Sequence, residues 1–200
     1  GQSAAGSLVS CRDVHTQAIY TLRGKPLNVC DLKRDALYKN DELYNLMRCL
    51  NIEDSIDKLR FNQVILATDA DVDGMHIRNL MITYFLRYFQ RLVEDGHLYI
   101  LETPLFRVRN KKETVYCYSE QERDAAMEKL HQGCEITRFK GLGEISPKEF
   151  SGFIGPDQRV TPVRIGELNE VPRIMKFYMG KNTPQRRAYI MDHLVVEEDA

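Results

Sequence analysis

The residues of this sequence that are best suited to chemistry are three aspartates at alternate positions, Asp69, Asp71 and Asp73. They directly follow the apolar run 64–67, which is typical of a buried strand, so we expect them at its C-terminal end, where open α/β sheets bind ligands. Residues two apart in an extended segment point the same way, so Asp69 and Asp71 should crowd together, and Asp73 could join them. Like charges at short range need a compensating cation, and carboxylate oxygens suit Mg²⁺. The segment therefore predicts a magnesium site that handles phosphate.

Two glycine-containing turns could supply further groups to such a site. In the turn 140–144, Lys140 could meet a phosphate, Glu144 could join a metal shell, and the two glycines let the backbone approach a ligand closely. The turn 23–25, Arg-Gly-Lys, is a weaker candidate of the same kind. Turns of this composition are common between strands and helices, so each supports a site only if the fold brings it to the aspartates.

Three alternative roles for the aspartate segment compete with a metal site for phosphate. A calcium-binding EF-hand loop shares its opening, but the twelfth position here is Leu80 instead of a glutamate, and a strand-like run precedes the loop. A phosphatase of the haloacid dehalogenase type also places aspartates after a buried strand, and stays open at this point. A structural role makes Asp73 the N-cap of the following helix. Capping accounts for one aspartate of the three, so a metal site is the preferred hypothesis.

The remaining sequence predicts the strands and helices that must position these residues. Strands are expected at 16–22, 64–67, 97–102 and 136–139, with a hairpin formed by 105–108 and 114–118. Helices are expected at 41–50, 77–93, 119–130, from Ser146 onward, at 170–179 and at 184–194. Ser146 followed by Pro147 and by Glu149 three residues on predicts a capping box at the start of its helix. The alternation of strands and helices predicts an α/β fold with a mainly parallel sheet, followed by a mostly helical tail.

Composition and charge narrow the class of protein. The 200 residues are 43% hydrophobic and 28% charged, which is ordinary for a globular chain, and no apolar stretch has membrane-spanning length. The five cysteines are widely spaced and never form a Cys-x-x-Cys pair, which argues against a disulfide framework or a zinc site and favours the cytoplasm. The formal net charge is −1, but basic stretches at 107–112, 138–140 and 181–187 could face a phosphate backbone.

Three segments occur in order along the chain: 22–25 (Leu-Arg-Gly-Lys), 69–78 (Asp-Ala-Asp-Val-Asp-Gly-Met-His-Ile-Arg) and 138–144 (Arg-Phe-Lys-Gly-Leu-Gly-Glu). Together they resemble the B subunit of bacterial type IIA DNA topoisomerases, and the resemblance extends over nearly the whole chain. It implies a TOPRIM domain at 1–118 and a gyrase-B-type C-terminal tail at 119–200. The TOPRIM domain is expected to have a Rossmann-like sheet flanked by helices, and the first strand of this sheet is expected to be missing. The short stretch between Glu144 and Arg159 leaves no room for the large insertion of some gyrases, so the chain looks more like the B subunit of topoisomerase IV or of an insertion-free gyrase.

The resemblance also implies a mechanism, in which double-stranded DNA is cut by a tyrosine of a separate A subunit within an A2B2 heterotetramer. ATP is used by an upstream domain. The implied ligands of Mg²⁺ are Asp69, Asp71 and Asp73, and the implied catalytic residues are Asp69, Asp71, His76 and Arg78. The implied DNA contacts are Lys25, Arg138, Lys140, Gly141 and Gly143, and Glu144 is a further candidate for the metal shell. The implied location is the bacterial cytoplasm, in association with the nucleoid.

Two departures from the family pattern concern the start of the chain. The family's first catalytic carboxylate is a glutamate directly before the Gly-x-Ser-Ala segment, so we expect this glutamate to precede Gly1. Without it, we expect this chain alone to be inactive and to bind Mg²⁺ weakly. Gln2 stands where the family often has an aspartate beside the quinolone drug pocket, whereas Lys25 matches, so a drug contact near these residues is implied without that charge. Two other functions stay open: a stand-alone metal-dependent phosphohydrolase or nuclease, and a docking module whose carboxylates serve only structure.

Overall fold

The computed structural model describes residues 2–131 and 133–194. Its helices are α1 (Gln2–Cys11), α2 (Asp41–Leu50), α3 (Val72–Tyr88), α4 (Gln90–Glu94), α5 (Glu120–Leu130), α6 (Pro147–Phe153), α7 (Val171–Met179) and α8 (Thr183–Asp192). Its strands are β1 (Val64–Leu66), β2 (Leu98–Leu101), β3 (Phe106–Arg109), β4 (Thr114–Cys117), β5 (Glu135–Arg138) and β6 (Val160–Pro162). Short 3-10 helices lie at Arg34–Lys39, Ile56–Lys58, Leu142–Glu144 and Leu168–Glu170. Within the described ranges, no helix combines the length and the apolar character needed to cross a membrane.

The strands form two small sheets. In the first sheet, β1 pairs in parallel with β2, and β6 joins the other edge of β2 in antiparallel orientation. The second sheet has the order β4-β3-β5 and is antiparallel throughout. A parallel pair needs a long crossover, which α3 and α4 provide, whereas the short turn between β3 and β4 suits an antiparallel pair. The predicted α/β fold with a helical C-terminal part is confirmed, although parallel pairing among the described residues is limited to β1 and β2.

An extensive apolar core lies between α2 and α3 and supports the end of β1. The buried face of α2 carries Leu43 and Met47, which belong to one apolar cluster with Tyr84 and Phe85 of α3. The Tyr84 hydroxyl donates to the Leu43 carbonyl at 3.1 Å, and burial raises the pKa of Tyr84. The Asn40 side chain caps α2 by accepting from the Leu43 N–H. The helix predicted at 41–50 is confirmed, together with its buried face.

Helix α3 starts and ends earlier than the apolar spacing predicts. It starts at Val72, directly after Asp71, and ends at Tyr88, and α4 follows after Phe89. Phe89 has φ −138° and ψ 43°, which is not helical, and its side chain is buried in the same core. The chain therefore bends at Phe89, and both helices keep their apolar residues against one core. The prediction of one continuous helix to residue 93 is wrong in this respect.

Two segments near the start of the chain differ from the sequence predictions. Helix α1 was not predicted, and it packs on α6 and on the 3-10 helix Leu142–Glu144 through an apolar cluster that includes Leu8. The strand predicted at 16–22 is absent from the described structure. Instead, the Gln17 side chain donates to the Ile154 carbonyl and the Tyr20 hydroxyl donates to the Glu42 carbonyl. Side chains of this segment thus form hydrogen bonds to distant carbonyl groups, and its backbone does not pair as a strand in the described structure.

The C-terminal helices α7 and α8 correspond to the predicted segments 170–179 and 184–194. Carbonyl groups near the end of α7 accept from the loop 28–30: Asn28 Nδ2 donates to the Met179 carbonyl at 2.8 Å, and Cys30 Sγ donates to the Met175 carbonyl at 3.6 Å. The domain boundary placed between residues 118 and 119 stays a prediction. Strand β5 pairs with β3, so strands from both sides of that boundary share a sheet.

Candidate metal and phosphate site

Asp69 joins the aspartate segment to the turn 140–144. Its Oδ1 accepts from the Leu142 backbone N–H at 2.7 Å. A Cβ added to Gly141 would lie 3.1 Å from the same oxygen, so glycine allows this close approach of the turn to the carboxylate. The condition set by the sequence, that the fold must bring this turn to the aspartates, is met.

The turn 140–144 is closed by its own side chain. Glu144 Oε2 accepts from the Lys140 backbone N–H at 2.9 Å, and the Glu144 N–H donates to the Gly141 carbonyl. Leu142 is buried and anchors the turn, whereas Lys140 and Gly143 are exposed. The exposed lysine is therefore available to meet a phosphate, while one oxygen of Glu144 is already engaged within the turn.

Asp71 is the N-cap of α3. Its Oδ1 accepts from the Gly74 N–H at 2.7 Å, and its backbone is extended, with φ −106° and ψ 178°. The suggestion that Asp73 caps this helix is therefore wrong, because the helix starts earlier than expected, at Val72. A Cβ added to Gly74 would lie 2.0 Å from the Asp69 carbonyl oxygen, so the first turn of α3 packs directly on the backbone of the aspartate segment. Glycine is required at this position.

Asp73 forms an ion pair with the turn 23–25. Lys25 Nζ lies 2.7 Å from Asp73 Oδ1, and both side chains are largely exposed. The hydrogen bond and the charge of Lys25 lower the pKa of Asp73. This second glycine-containing turn therefore also reaches the aspartates, as a shared site requires.

The three aspartates do not crowd into one volume, although the alternation of an extended strand would allow it. In residues 2–131 and 133–194, no three histidine, cysteine, aspartate or glutamate side chains come together as a metal-binding group. The alternation of an extended chain ends at Asp71, because the next residue starts a helix and turns Asp73 toward Lys25. Asp73 therefore does not join Asp69 and Asp71 in one group, and each of the three carboxylates has a different partner.

The carboxylate oxygens of Asp69 and Asp71 are nevertheless suitable ligands for Mg²⁺. Across the described residues, hydrogen bonds reach only Oδ1 of each of these carboxylates, so Oδ2 of each can accept a ligand. Mg²⁺ prefers hard oxygen donors and is usually held by one or two carboxylates while keeping several waters. Two carboxylates at the end of β1 therefore fit this ion, and the roles of Asp69, Asp71 and Asp73 as its ligands stay a prediction.

His76 and Arg78 lie in the N-terminal half of α3. His76 is exposed, and the Arg78 guanidinium turns back toward the strand end, where its Nη2 donates to Thr68 Oγ1 at 3.3 Å. Its Nε atom is buried and has no hydrogen-bond partner in the part of the chain that the structure describes. Arg78 thus holds a donor close to the aspartate segment, and the catalytic roles of both residues stay predictions.

A largely buried ion pair, which sequence reasoning missed, links β3 to α6, the helix that follows the turn 140–144. Arg107 Nη1 of β3 donates to Glu149 Oε1 at 2.6 Å, and the Tyr116 hydroxyl donates to the same oxygen at 3.0 Å. Burial raises the pKa of Glu149, but hydrogen bonds from Ser146, Arg107 and Tyr116 lower it to about 2. Burial, with the contribution of Glu149, raises the pKa of Tyr116 to about 12. The sequence predicts the capping box of Ser146 and Glu149, which is confirmed, but it carries no local signal for the distant partners.

A cavity of about 480 Å³ lies beside His76, between the start of α3 and the turn that joins α7 to α8. Its lining residues are Asn28, Val72, Met75, His76, Asn79, Tyr178, Met179, Gly180 and Arg186. Arg186 Nη1 donates to the carbonyls of Phe177 and Gly180, so this guanidinium holds the turn between the helices. No local signal in the sequence predicts that the tail approaches His76.

Two predicted residues contribute less to this geometry. Arg138 is exposed at the end of β5, where it pairs with Phe106 of β3. Its side chain forms no hydrogen bond among the described residues. Gln2 lies in α1, and its side chain falls outside the described part of the structure. The predicted drug contact near Gln2 and Lys25 therefore stays a prediction.

Comparison with known proteins defines the class. The model of the Toprim domain family matches residues 1–103, and the chain belongs to this family. A second family model, for the carboxyl terminus of the DNA gyrase B subunit, matches residues 131–191. The two matches cover the aspartate segment and the turn 140–144, respectively, which the structure joins through Asp69 and Leu142.

Individual relatives agree with the family models. The B subunit of DNA topoisomerase 4 from Borreliella burgdorferi is 58% identical over 196 residues, which cover 98% of this chain and 33% of that protein. The DNA gyrase B subunit of Thermotoga maritima is 39% identical over 200 residues, covering 96% of this chain and 31% of that protein. The DNA gyrase B subunit of Archaeoglobus fulgidus is 35% identical over 199 residues, with the same coverage. The resemblance to the B subunits of topoisomerases is confirmed, and the chain spans about a third of the length of these relatives.

Proposed function

We propose that this chain forms the DNA cleavage and religation region of an ATP-dependent type IIA DNA topoisomerase. The observation that carries the proposal is the pair of contacts from Asp69 to Leu142 and from Asp73 to Lys25. These contacts gather the three segments that resemble topoisomerase B subunits around the end of β1. The names of the relatives, which are B subunits of topoisomerase 4 and of gyrase, support the same function.

The proposed substrate is double-stranded DNA, bound through its phosphates. Lys25, Arg138 and Lys140 are exposed cations; Lys25 pairs with Asp73, and Arg138 and Lys140 lie in or next to the turn that meets Asp69. Such groups position a DNA backbone without reading its sequence. The N-terminus of α3, a helix of 17 residues, adds a partial positive charge on the same side. His76 and Arg78 are the proposed contacts to the scissile or the adjacent phosphate. Gly141 and Gly143 let the backbone of the turn approach the DNA.

The proposed metal is Mg²⁺, held by Asp69 and Asp71, with Asp73 and Glu144 as further candidates. When bound, it would stabilise the negative charge that develops on the departing 3′ oxygen. The nucleophile is proposed to be a tyrosine of an A subunit in an A2B2 assembly, and ATP is proposed to act on an upstream domain. The same proposal places the protein in the bacterial cytoplasm with the nucleoid, and makes Lys25 and Gln2 contacts for quinolone-type drugs.

The test replaces Asp69 or Asp71 by asparagine in the full-length protein, assembled with its A subunit. Asparagine caps helices as well as aspartate does, so Asp71→Asn keeps α3 while removing a charged metal ligand. We expect DNA cleavage to fall by several orders of magnitude, while ATP hydrolysis stays close to that of the unmodified protein. Asp54→Asn is the matched control, because Asp54 is an exposed aspartate paired with Lys58 away from the site.

Two results would contradict the proposal. Unchanged DNA cleavage by both asparagine variants would mean that the carboxylates serve structure alone. Metal-dependent hydrolysis of DNA or phosphate esters without the A subunit would favour a stand-alone nuclease or phosphohydrolase.

A further inference from the structure

Arg107 contacts the chain on both sides of the turn 140–144. Strand β5 leads into the turn, and Arg107 Nη2 donates to Thr137 Oγ1 of this strand at 3.1 Å. Helix α6 follows the turn, and Arg107 Nη1 donates to Glu149 Oε1 of this helix at 2.6 Å. The guanidinium carbon also lies 5.7 Å from the centre of the Phe139 ring, directly before the turn. One side chain of β3 therefore links the two segments that flank the turn.

The turn depends on anchors of this kind. Its two glycines have no side chains, and glycine loses more backbone freedom on ordering than any other residue. The side chains of Phe139, Leu142 and Ile145 are buried in one apolar cluster, but the hydrophobic effect has no preferred direction. Hydrogen bonds from a planar guanidinium fix the direction of each partner. Arg107 is therefore suited to orient the two flanks.

The contact between the turn and Asp69 tolerates little displacement. Asp69 Oδ1 lies 2.7 Å from the Leu142 nitrogen, and a Cβ on Gly141 would lie 3.1 Å from the same oxygen. A shift of the turn by about 1 Å away from Asp69 would take the nitrogen and the oxygen beyond hydrogen-bonding distance. The flanks of the turn must therefore be held to within less than about 1 Å.

Stability alone does not require an ion pair at this place. The side chains of Arg107 and Glu149 are largely buried. Removing such charges from water costs free energy, and a well-packed apolar pair of similar volume is often as stable. An apolar pair would lack directional bonds to β5 and α6, and these bonds are what the ion pair adds.

We propose that Arg107 is a positioning residue, which fixes where the turn 140–144 meets Asp69 by holding β5 before the turn and α6 after it. Its effect on the bond between Asp69 and Leu142 involves this chain alone. Its effect on DNA cleavage rests on the proposed function, which supplies the role of Asp69.

The first experiment measures hydrogen exchange of the Leu142 amide at single-residue resolution, in the full-length protein without DNA. Thr137→Val removes the hydroxyl that accepts from Arg107 and leaves the ion pair with Glu149 in place. Arg107→Lys keeps the charge beside Glu149, but an ammonium group lacks the planar fork that bonds both flanks. We expect each variant to speed exchange at Leu142 by about three- to ten-fold, the range for the loss of one hydrogen bond. Thr114→Val, at an exposed position of β4 in the same sheet, is the matched control and should leave this exchange unchanged.

A double-mutant cycle with Asp69→Ala separates positioning of the contact from general loosening of the turn. Asp69→Ala removes the acceptor of the Leu142 N–H. In this background, Thr137→Val and Arg107→Lys should no longer change exchange at Leu142. An equal increase in both backgrounds would show general loosening and overturn the proposal.

The second experiment measures single-turnover DNA cleavage and DNA affinity separately, in the assembly with the proposed A subunit. We expect Arg107→Lys to lower the cleavage rate by about ten- to a hundred-fold, because misplacing a reacting group by about 1 Å has an effect of this size. DNA affinity, read from the fluorescence anisotropy of a labelled duplex, should change by less than about two-fold, because residue 107 is largely buried and keeps its charge as lysine.

Arg123→Lys is the matched control for this experiment. Arg123 also contacts carboxylates and an aromatic ring, those of Glu120, Asp124 and Phe106, and its lysine variant should cleave DNA as the unmodified protein does. A loss of DNA affinity in Arg107→Lys that matches its loss of cleavage would place Arg107 in DNA binding and overturn the proposal.

The outcomes distinguish this inference from the proposed function. If Asp69→Asn abolishes DNA cleavage but Arg107→Lys exchanges at Leu142 and cleaves DNA as the unmodified protein does, the proposed function stands and the role of Arg107 is wrong. If Asp69→Asn leaves DNA cleavage unchanged, the proposed function fails, and exchange at Leu142, which involves no DNA, decides the role of Arg107 by itself.

Discussion

The ion pair between Glu149 and Arg107 allows a quantitative prediction about stability. The two side chains are 16% and 18% exposed, and Glu149 also accepts from Ser146 and Tyr116. Burial opposes ionisation of Glu149, but these bonds outweigh it and lower the pKa from 4.5 to about 2. A shift of this size corresponds to about 3 kcal/mol of stabilisation at neutral pH, since one pKa unit is about 1.4 kcal/mol. We therefore expect Glu149→Gln to destabilise the region around α6 by up to about 3 kcal/mol at pH 7.

The pH dependence of this effect has a definite sign. Because the pKa of Glu149 is lower in the folded than in the unfolded protein, the stabilisation is complete above the unfolded value and is lost as pH falls toward about 2. The difference between the unmodified protein and Glu149→Gln should shrink to about 1.4 kcal/mol at pH 3.

Hydrogen exchange of peptides covering residues 135–153, measured over a series of urea concentrations, reads the stability of this region. Glu135→Gln is the matched control, because Glu135 pairs with Arg109 on the same sheet but its side chain is 59% exposed. That variant should lose less than about 1 kcal/mol, the usual limit for an exposed pair. Equal stability of Glu149→Gln and the unmodified protein at pH 7, or a difference that does not change between pH 7 and pH 3, would refute the reasoning.

Two further predictions concern a glycine beside the aspartates and the side chain that caps α2. Gly74→Ala would bring a Cβ to 2.0 Å from the Asp69 carbonyl oxygen, so we expect the aspartate segment to shift. The proposed DNA cleavage, measured in the assembly with the proposed A subunit, should then fall by at least about ten-fold. Gly166→Ala, with open space at its Cβ, is the control and should leave cleavage unchanged. Retained cleavage in Gly74→Ala would show that the segment tolerates the shift. Asn40→Ala removes the cap bond to the Leu43 N–H and should destabilise α2 by about 1 kcal/mol, measured as faster hydrogen exchange at its first turn; unchanged exchange there would contradict the role of the cap.

Local signals account for the parts of the fold that were predictable. Helix α2 and the capping box of Ser146 and Glu149 follow from apolar periodicity and from side-chain bonds to nearby backbone groups. The strand expected at 16–22 and the continuous helix expected through Phe89 failed because tertiary contacts overrode the local pattern. Gln17 and Tyr20 bond to distant carbonyls, and Phe89 leaves the helical conformation to enter the core. Helix α1 carries only a weak local signal, and it is held by packing on α6.

The sequence by itself determined the position of three aspartates after an apolar strand, the two glycine-containing turns, and the family to which the chain belongs. Only the tertiary structure decided the partner of each carboxylate: Leu142 for Asp69, the start of α3 for Asp71, and Lys25 for Asp73. The physical reason is that the alternation of side chains applies only while the chain stays extended. The helix starts directly after Asp71, so the three carboxylates diverge, and two of them meet segments that are distant in sequence.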